Sequence, residues 1–331
     1  MKKTAAILSI AMGTLVSAYS QDPQFTQFYS NKMYLAPSFV GATQQNRITS
    51  NIRDQWVGLK NSYLTYTLSY EHYFLNFNSG LGVILMRDQA GAGNLNLTGI
   101  GLQYSYDFKI LETCHVRPGL QFTYLRQGLN FSKLLFSDQM HPNGDDPSSI
   151  EVPTIPSNGA ADAASSVLFY SENYWIGASF DHLLHPDLSL SSEKAYINLK
   201  TSVFGGVTLI RRGKLLSPIG ETVSLAFLYK QQKIESGSYF RQMDCGLYWY
   251  KKPLVLGFWY RGIPIMKGNR SDALAALIGL KSKYINIGYS YDFTVSRLIG
   301  NSQGSHELSL VYEFSKPHKK KKIHAIPCPE F

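Results

Sequence analysis

Charge is scarce in this chain: Asp, Glu, Lys and Arg make up 17% of its 331 residues, against ~25% for an average soluble domain. Cysteine is scarcer still, with Cys114, Cys245 and Cys328 far apart and no C-x-x-C. That excludes a disulfide framework and supports neither a zinc site nor a redox dithiol. At most one disulfide can form, and Cys114 and Cys245 read as isolated thiols. Beyond the first twenty positions no apolar run approaches the ~18 residues of a membrane-spanning helix. H-E-x-x-H, G-x-S-x-G, a Walker loop and a dinucleotide fingerprint are all missing. No motif points to a catalytic centre, and the expectation is a non-enzyme without cofactor or metal, with an outer-membrane hydrolase using dispersed Ser, His and acidic residues as the remaining class.

Aromatic residues are plentiful, with 22 Tyr and 18 Phe in a chain that is 44% hydrophobic. Such a composition is not that of a disordered chain. A soluble β-rich protein and a transmembrane β-barrel remain, the latter hiding its apolar surface in alternation.

Met1-Lys2-Lys3 is a basic start, Ala5 to Val16 an apolar stretch, and Ala18-Tyr19-Ser20 a small-residue cleavage site. Residues 1–20 read as a secretory signal peptide, which places the mature chain in the cell envelope, where nucleic acid is not a plausible partner.

Alternation runs along nearly all of the mature sequence. Leu64, Tyr66, Leu68 and Tyr70 interleave with Thr65, Thr67, Ser69 and Glu71; Ile285, Ile287, Tyr289, Tyr291 and Phe293 with Asn286, Gly288, Ser290 and Asp292. A period of two is the strand signature. It predicts about fourteen strands, near 47–58, 63–74, 80–87, 97–110, 115–126, 164–170, 174–182, 195–210, 221–231, 238–250, 254–261, 272–281, 284–293 and 305–314. Many approach the ~9–11 residues that a tilted strand needs to cross a bilayer. Their connections alternate between tight turns, such as Leu75–Ser79 and Lys251–Pro253, and longer loops, such as Gln127–Ala163 and Leu183–Lys194. Outer-membrane barrels have that asymmetry, with short periplasmic turns and long outer loops. Leu59–Ser62 (too short) and Arg211–Gly220 (too long) depart from it. The fold class expected is all-β: an antiparallel transmembrane β-barrel in the outer membrane.

Four aromatic clusters, Tyr104/Tyr106/Phe108, Tyr248-Trp249-Tyr250, Phe258-Trp259-Tyr260 and Tyr289/Tyr291/Phe293, are expected to form interfacial girdles. Four units follow along the chain: the signal peptide, a periplasmic or plug segment over 21–46, the barrel over 47–314, and a Lys-rich periplasmic tail over 315–331. Of the net charge of +9, two charges leave with the signal and four net belong to the tail, leaving three on the body. Arg211, Arg212, Lys214, Lys251, Lys252, Lys281 and Lys283 fall at or near inner turns. A basic inner rim can steer an acidic periplasmic partner or hold anionic lipid headgroups of the outer membrane.

In the tail, Lys319, Lys320, Lys321 and Lys322, with Cys328 and Phe331, are candidate partner-binding residues, against the plainer reading of a solvated end. His182 and His185 read as a structural pair rather than a ligand set, and Asp138, Asp145 and Asp146 do not fit an EF-hand. Gly99, Gly101, Gln103 and Ser105 face inward and permit an open lumen, which keeps a passive porin or hydrophobic-solute channel as the alternative.

Several stretches resemble one known family. They are Gln21-Asp22-Pro23-Gln24-Phe25-Thr26-Gln27-Phe28-Tyr29, Arg53-Asp54-Gln55-Trp56, Phe136-Ser137-Asp138-Gln139, Tyr174-Trp175-Ile176-Gly177, His182-Leu183, Gly288-Tyr289-Ser290-Tyr291-Asp292, and Gly304-Ser305-His306-Glu307-Leu308. In order and spacing they are similar to the PorP/SprF family. The resemblance implies an outer-membrane protein of the type IX secretion and gliding-motility apparatus of Bacteroidota. Its partners would be secretion-machinery components or a large surface adhesin whose export or attachment it supports. No catalytic residues carry over; Arg53, Trp56, His306 and Glu307 are structural candidates only.

Overall fold

A computed structural model describes residues 22–59, 62–91, 95–130, 134, 156–190, 194–212, 220–233, 237, 239–263, 272–295 and 302–314. The signal peptide, the tail with Lys319–Lys322, Cys328 and Phe331, most of the long loop with Asp138, Asp145 and Asp146, and Lys214 lie outside them. Side chains at 210–212 are likewise outside the description.

The strands are β1 (Asn46–Gln55), β2 (Tyr63–Phe74), β3 (Ser79–Ala90), β4 (Leu95–Tyr106), β5 (Phe108–Lys109), β6 (His115–Gly128), β7 (Ser157–Tyr170) and β8 (Tyr174–Asp181). They continue with β9 (Lys200–Arg212), β10 (Glu221–Lys233), β11 (Tyr239–Lys251), β12 (Leu254–Arg261), β13 (Ala273–Lys281), β14 (Ile285–Thr294) and β15 (Ser305–Phe314). β5 is a two-residue continuation of β4 beyond Asp107, so the wall has fourteen strand positions. Each strand pairs antiparallel with its neighbours, and β1 pairs with β15 from Asn46↔Phe314 to Gln55↔Ser305. The sheet is closed, with no free edge.

Alternation decides which side chain goes where. On β2 Tyr66, Leu68 and Tyr70 are exposed on the outside, while Thr65, Thr67, Ser69 and Glu71 are buried within. An exposed apolar exterior over a polar interior is what lipid around a barrel requires. Most of the aromatic clusters lie on that exterior, including Tyr104, Phe108, Phe258, Tyr289 and Phe293. Tyr248 and Trp259 do not: strand parity turns them inward, and both are buried. For these two the girdle reading is corrected to interior packing.

Inside, the two halves of the wall differ. On β14, β15 and β1–β6 the inward residues are mostly polar, whereas β7–β13 present Leu168, Trp175, Phe204, Leu228, Tyr248, Val255, Trp259 and Leu277. Several of these rings lie over glycines on the adjacent strand. Trp175 covers Gly206, and Trp259 covers Gly246, at cross-strand positions where a Cβ would strike the indole. What the apolar half packs against is the chain's own N-terminal segment. Residues 22–45, with a one-turn helix α1 (Lys32–Leu35) and a 3-10 turn at Pro37–Phe39, are largely buried in the lumen. Gly99, Gly101, Gln103 and Ser105 do face inward, onto an occupied interior.

Candidate functional site

The lumen segment runs the length of the barrel. Asp22 lies beside Asp181, Lys200 and Asp162, at the mouth bearing the longer connections. Val40 and Gly41 lie beside Gly80 and Arg117, at the end with the tight turns. The segment then turns into β1.

Its middle is held by burial. Phe28 meets Trp259 edge-on with centroids 4.7 Å apart, Phe39 lies 5.3 Å from Phe204, and Tyr29 accepts the Trp175 indole N–H at 3.2 Å. Tyr29 in turn donates its hydroxyl to the Gly205 carbonyl at 3.2 Å. Two glycines let its backbone touch the wall: a Cβ on Gly80 would lie 2.2 Å from the Val40 carbonyl oxygen, and one on Gly119 2.2 Å from the Ser38 amide nitrogen. No side chain fits at either point.

A charged seat holds the upper part. Arg53 on β1 contacts Asp292 on β14 at 2.7 Å and Glu307 on β15 at 3.1 Å, and Arg261 on β12 reaches the same Asp292 oxygen at 2.7 Å. Into this cluster the segment inserts Thr26 and Gln27. Both amides donate to Glu307, at 2.7 and 3.1 Å, and the Thr26 hydroxyl donates to Asp292 at 2.7 Å. The Gln27 amide donates to the Glu307 carbonyl at 2.9 Å and its carbonyl accepts from Ser309 at 2.6 Å. Arg261 also donates to Gln24 at 2.9 Å. Two cations thus face two buried carboxylates, with the more exposed Asp272 3.3 Å from Arg261, and the remaining lone pairs of the buried carboxylates are taken up by the segment. Buried ions persist only under such compensation.

At the mouth, His182 stands between two carboxylates, 2.7 Å from Asp162 and 3.0 Å from Asp22. Lys200 contacts Asp22 at 2.6 Å and Asp181 at 3.2 Å. Burial works against a charge on the imidazole, but Asp22 and Asp162 prevail and push its pKa up to about 10. Burial likewise opposes ionisation of Asp22, yet Lys200 and His182 hold its carboxyl well below the usual range. At the other end Arg117 donates to the Val40 carbonyl and to Ser105 and lies 5.5 Å from the Tyr73 ring centroid, while the Gly41 amide donates to Glu71.

Of the four structural candidates, Arg53 and Glu307 meet in the seat. Trp56 lies just past β1, in the left-handed region at φ 61°, edge-on to Tyr63. His306 faces outward among the girdle rings, its Nδ1 2.7 Å from the Tyr289 hydroxyl. Sequence reasoning passed over Asp22, Thr26, Gln27, Asp162, Lys200, Arg261 and Asp292 as site residues. The available signal was a broken alternation: charges at inward positions, and strands such as β8 and β12 that are apolar on both faces. His185 is exposed on a turn, and among the described residues no His, Cys, Asp and Glu group has metal-binding geometry.

The seat gathers stretches that are remote in sequence: the opening Asp22–Tyr29, the Arg53 stretch, the stretch ending in Asp292, and the stretch containing Glu307. A family model described as "Type IX secretion system membrane protein PorP/SprF" matches residues 17–312. No curated protein matches the chain. Among solved structures, the Pseudomonas putida toluene transporter TodX is similar at 8% identity and TM-score 0.48, covering 85% of this chain and 93% of that one. The CymD monoaromatic hydrocarbon channel is similar at 13% identity and TM-score 0.45, covering 94% and 97%. The Acinetobacter baumannii outer membrane protein Omp33 is similar at 6% identity and TM-score 0.45, covering 82% and 98%.

Proposed function

The chain belongs to the PorP/SprF family of type IX secretion system membrane proteins, and from that premise we propose that it is a self-plugged, non-enzymatic accessory barrel. In this reading it supports export or surface attachment of a large adhesin-type protein. The long connections meet the exported protein outside, and the tight turns and the tail over 315–331 meet periplasmic components of the machinery. The observation that carries the reading is the filled lumen: cavities of about 40 and 90 Å³ flank the segment at the mouth, too small to pass a folded or extended chain. A barrel of this kind works through its surfaces and not as a conduit.

Cells lacking the protein are expected to lose one large surface protein, or secretion as a whole, and restoration by the full chain ties the loss to the barrel. Normal display of every surface protein would end the proposal. A truncation lacking 316–331 is expected to fold but to recover fewer periplasmic partners in a pull-down from solubilised outer membrane.

The alternative, a passive porin or hydrophobic-solute channel, predicts steady conductance of the purified protein in planar bilayers. The seated segment favours silence, with conductance appearing only when the seat is broken.

A further inference from the structure

Two features meet at the tight-turn end of the barrel and on the exterior wall beside it. The first is a concentration of lysines on two adjacent tight turns. Lys251 ends β11 and Lys252 follows it, Lys281 ends β13 and Lys283 lies just beyond; the Lys281 amide donates to the Pro253 carbonyl at 2.7 Å, tying the turns together. Lys251, Lys252 and Lys283 are exposed. The Lys281 and Lys283 ammonium groups lie 5.8 and 4.8 Å from the ring centroids of Tyr250 and Tyr284. The neighbouring carboxylate, Glu221, opposes Lys251 in the register and accepts the Trp249 indole N–H at 3.0 Å. Other tight turns lack this bias: 75–78 carries no charge, 110–114 carries Glu112, and 171–173 carries Glu172.

The second feature is an apolar groove of about 1070 Å³ in the exterior of β8–β13, lined by Ile176, Val207, Leu225, Leu247, Phe258 and Leu274. Cys245 and Ala276 are among the small side chains in it. Leu247 precedes Lys251 by four residues on the same strand, about 13 Å at the rise of a β-strand. Groove and lysines therefore share strands, one directly above the other.

We propose that this is a binding site for an anionic phospholipid, its phosphate on the lysine pair of turns and an acyl chain along the groove. Charge complementarity selects the headgroup. A cluster of lysines beside a membrane attracts anionic lipid, and the apolar groove holds the chain where a smooth wall would not. The exposed Tyr284 ring sets Lys283 at headgroup level. Placing the site in the inner leaflet rests on the orientation under Proposed function, in which tight turns face the periplasm.

The test is native mass spectrometry of the detergent-purified barrel with phosphatidylglycerol and phosphatidylcholine of identical chains. Phosphatidylglycerol is expected to be retained preferentially. The combined variant Lys251→Gln, Lys252→Gln, Lys281→Gln, Lys283→Gln should lower its retention by at least about tenfold, toward that of phosphatidylcholine. Ala276→Phe, which fills the groove, should weaken both lipids, and Lys109→Gln at the end of β5 neither. Heat-modifiable gel mobility shows that each variant is folded. Equal retention of the two lipids, an unaltered quadruple variant, or preference for lipid A over phosphatidylglycerol would overturn the proposal. Orientation is read separately, by labelling Lys252→Cys in intact and in permeabilised cells, so a failure there is distinguishable from a failure of the site.

Discussion

Arg53 and His306 illustrate how differently two residues of similar appearance in the sequence can be placed. Arg53 is buried, bonded to Asp292, Glu307 and Thr26. Arg53→Met leaves two carboxylates facing one remaining cation, and removing one partner from a buried pair costs ~3–5 kcal/mol. Urea unfolding in detergent micelles is expected to show a loss of that order. His306→Ala gives up one exposed bond to Tyr289, worth ~0.5–1.5 kcal/mol, and the same assay should barely register it. Equal effects would mean that the seat is not what secures the segment. His182 adds a dependence on pH. Its pKa is raised in the folded state, to about 10 from 6.5, so its contribution is fully present below about pH 6.5 and fades as the pH rises toward 10. The thermal midpoint of the barrel should decline across that window, and His182→Gln should flatten the decline.

At the level of the element, the strands were legible in the sequence because alternation is written into most of them. β2, β12 and β15 fall at 63–74, 254–261 and 305–314, the spans expected. β7 starts seven residues before its expected start at 164, at Ser157. Its first half, Ser157 to Ala163, is built of small and polar residues, and its pairing to β6 supplies what composition does not show. The lumen segment was legible only as a possibility. Nothing local makes Asp22–Ala42 a plug; its bonds to the wall go to residues 17 to 282 positions away, and period-based reading sees none of them. The same logic identifies its weakest tolerance. Gly119→Val puts a side chain where the Ser38 backbone lies, and is expected to unseat the segment while leaving the wall intact. Planar-bilayer recordings should then show conductance that the unaltered protein lacks, and a silent Gly119→Val barrel with normal folding would count against the plug.

On the scale of the whole molecule, the seat spans the seam where the first and last strands of the chain meet. Arg53 belongs to β1, Glu307 to β15 and Asp292 to β14, with Thr26 and Gln27 bonded across them. Closing the cylinder and seating its contents thus draw on the same bonds. Folding followed by gel mobility should show Arg53→Met and Gln27→Ala slowing closure of the barrel as well as weakening it.

The direction in which the segment is threaded has a practical side. Asp22 lies at the mouth with the long connections, whereas β1 begins at the opposite end, so the chain crosses the interior once before its first strand. A tag joined ahead of Asp22 is therefore expected at that mouth. An epitope inserted between Ser20 and Asp22 would report, by antibody access to whole cells, which way the barrel stands in its membrane, with every loop left untouched.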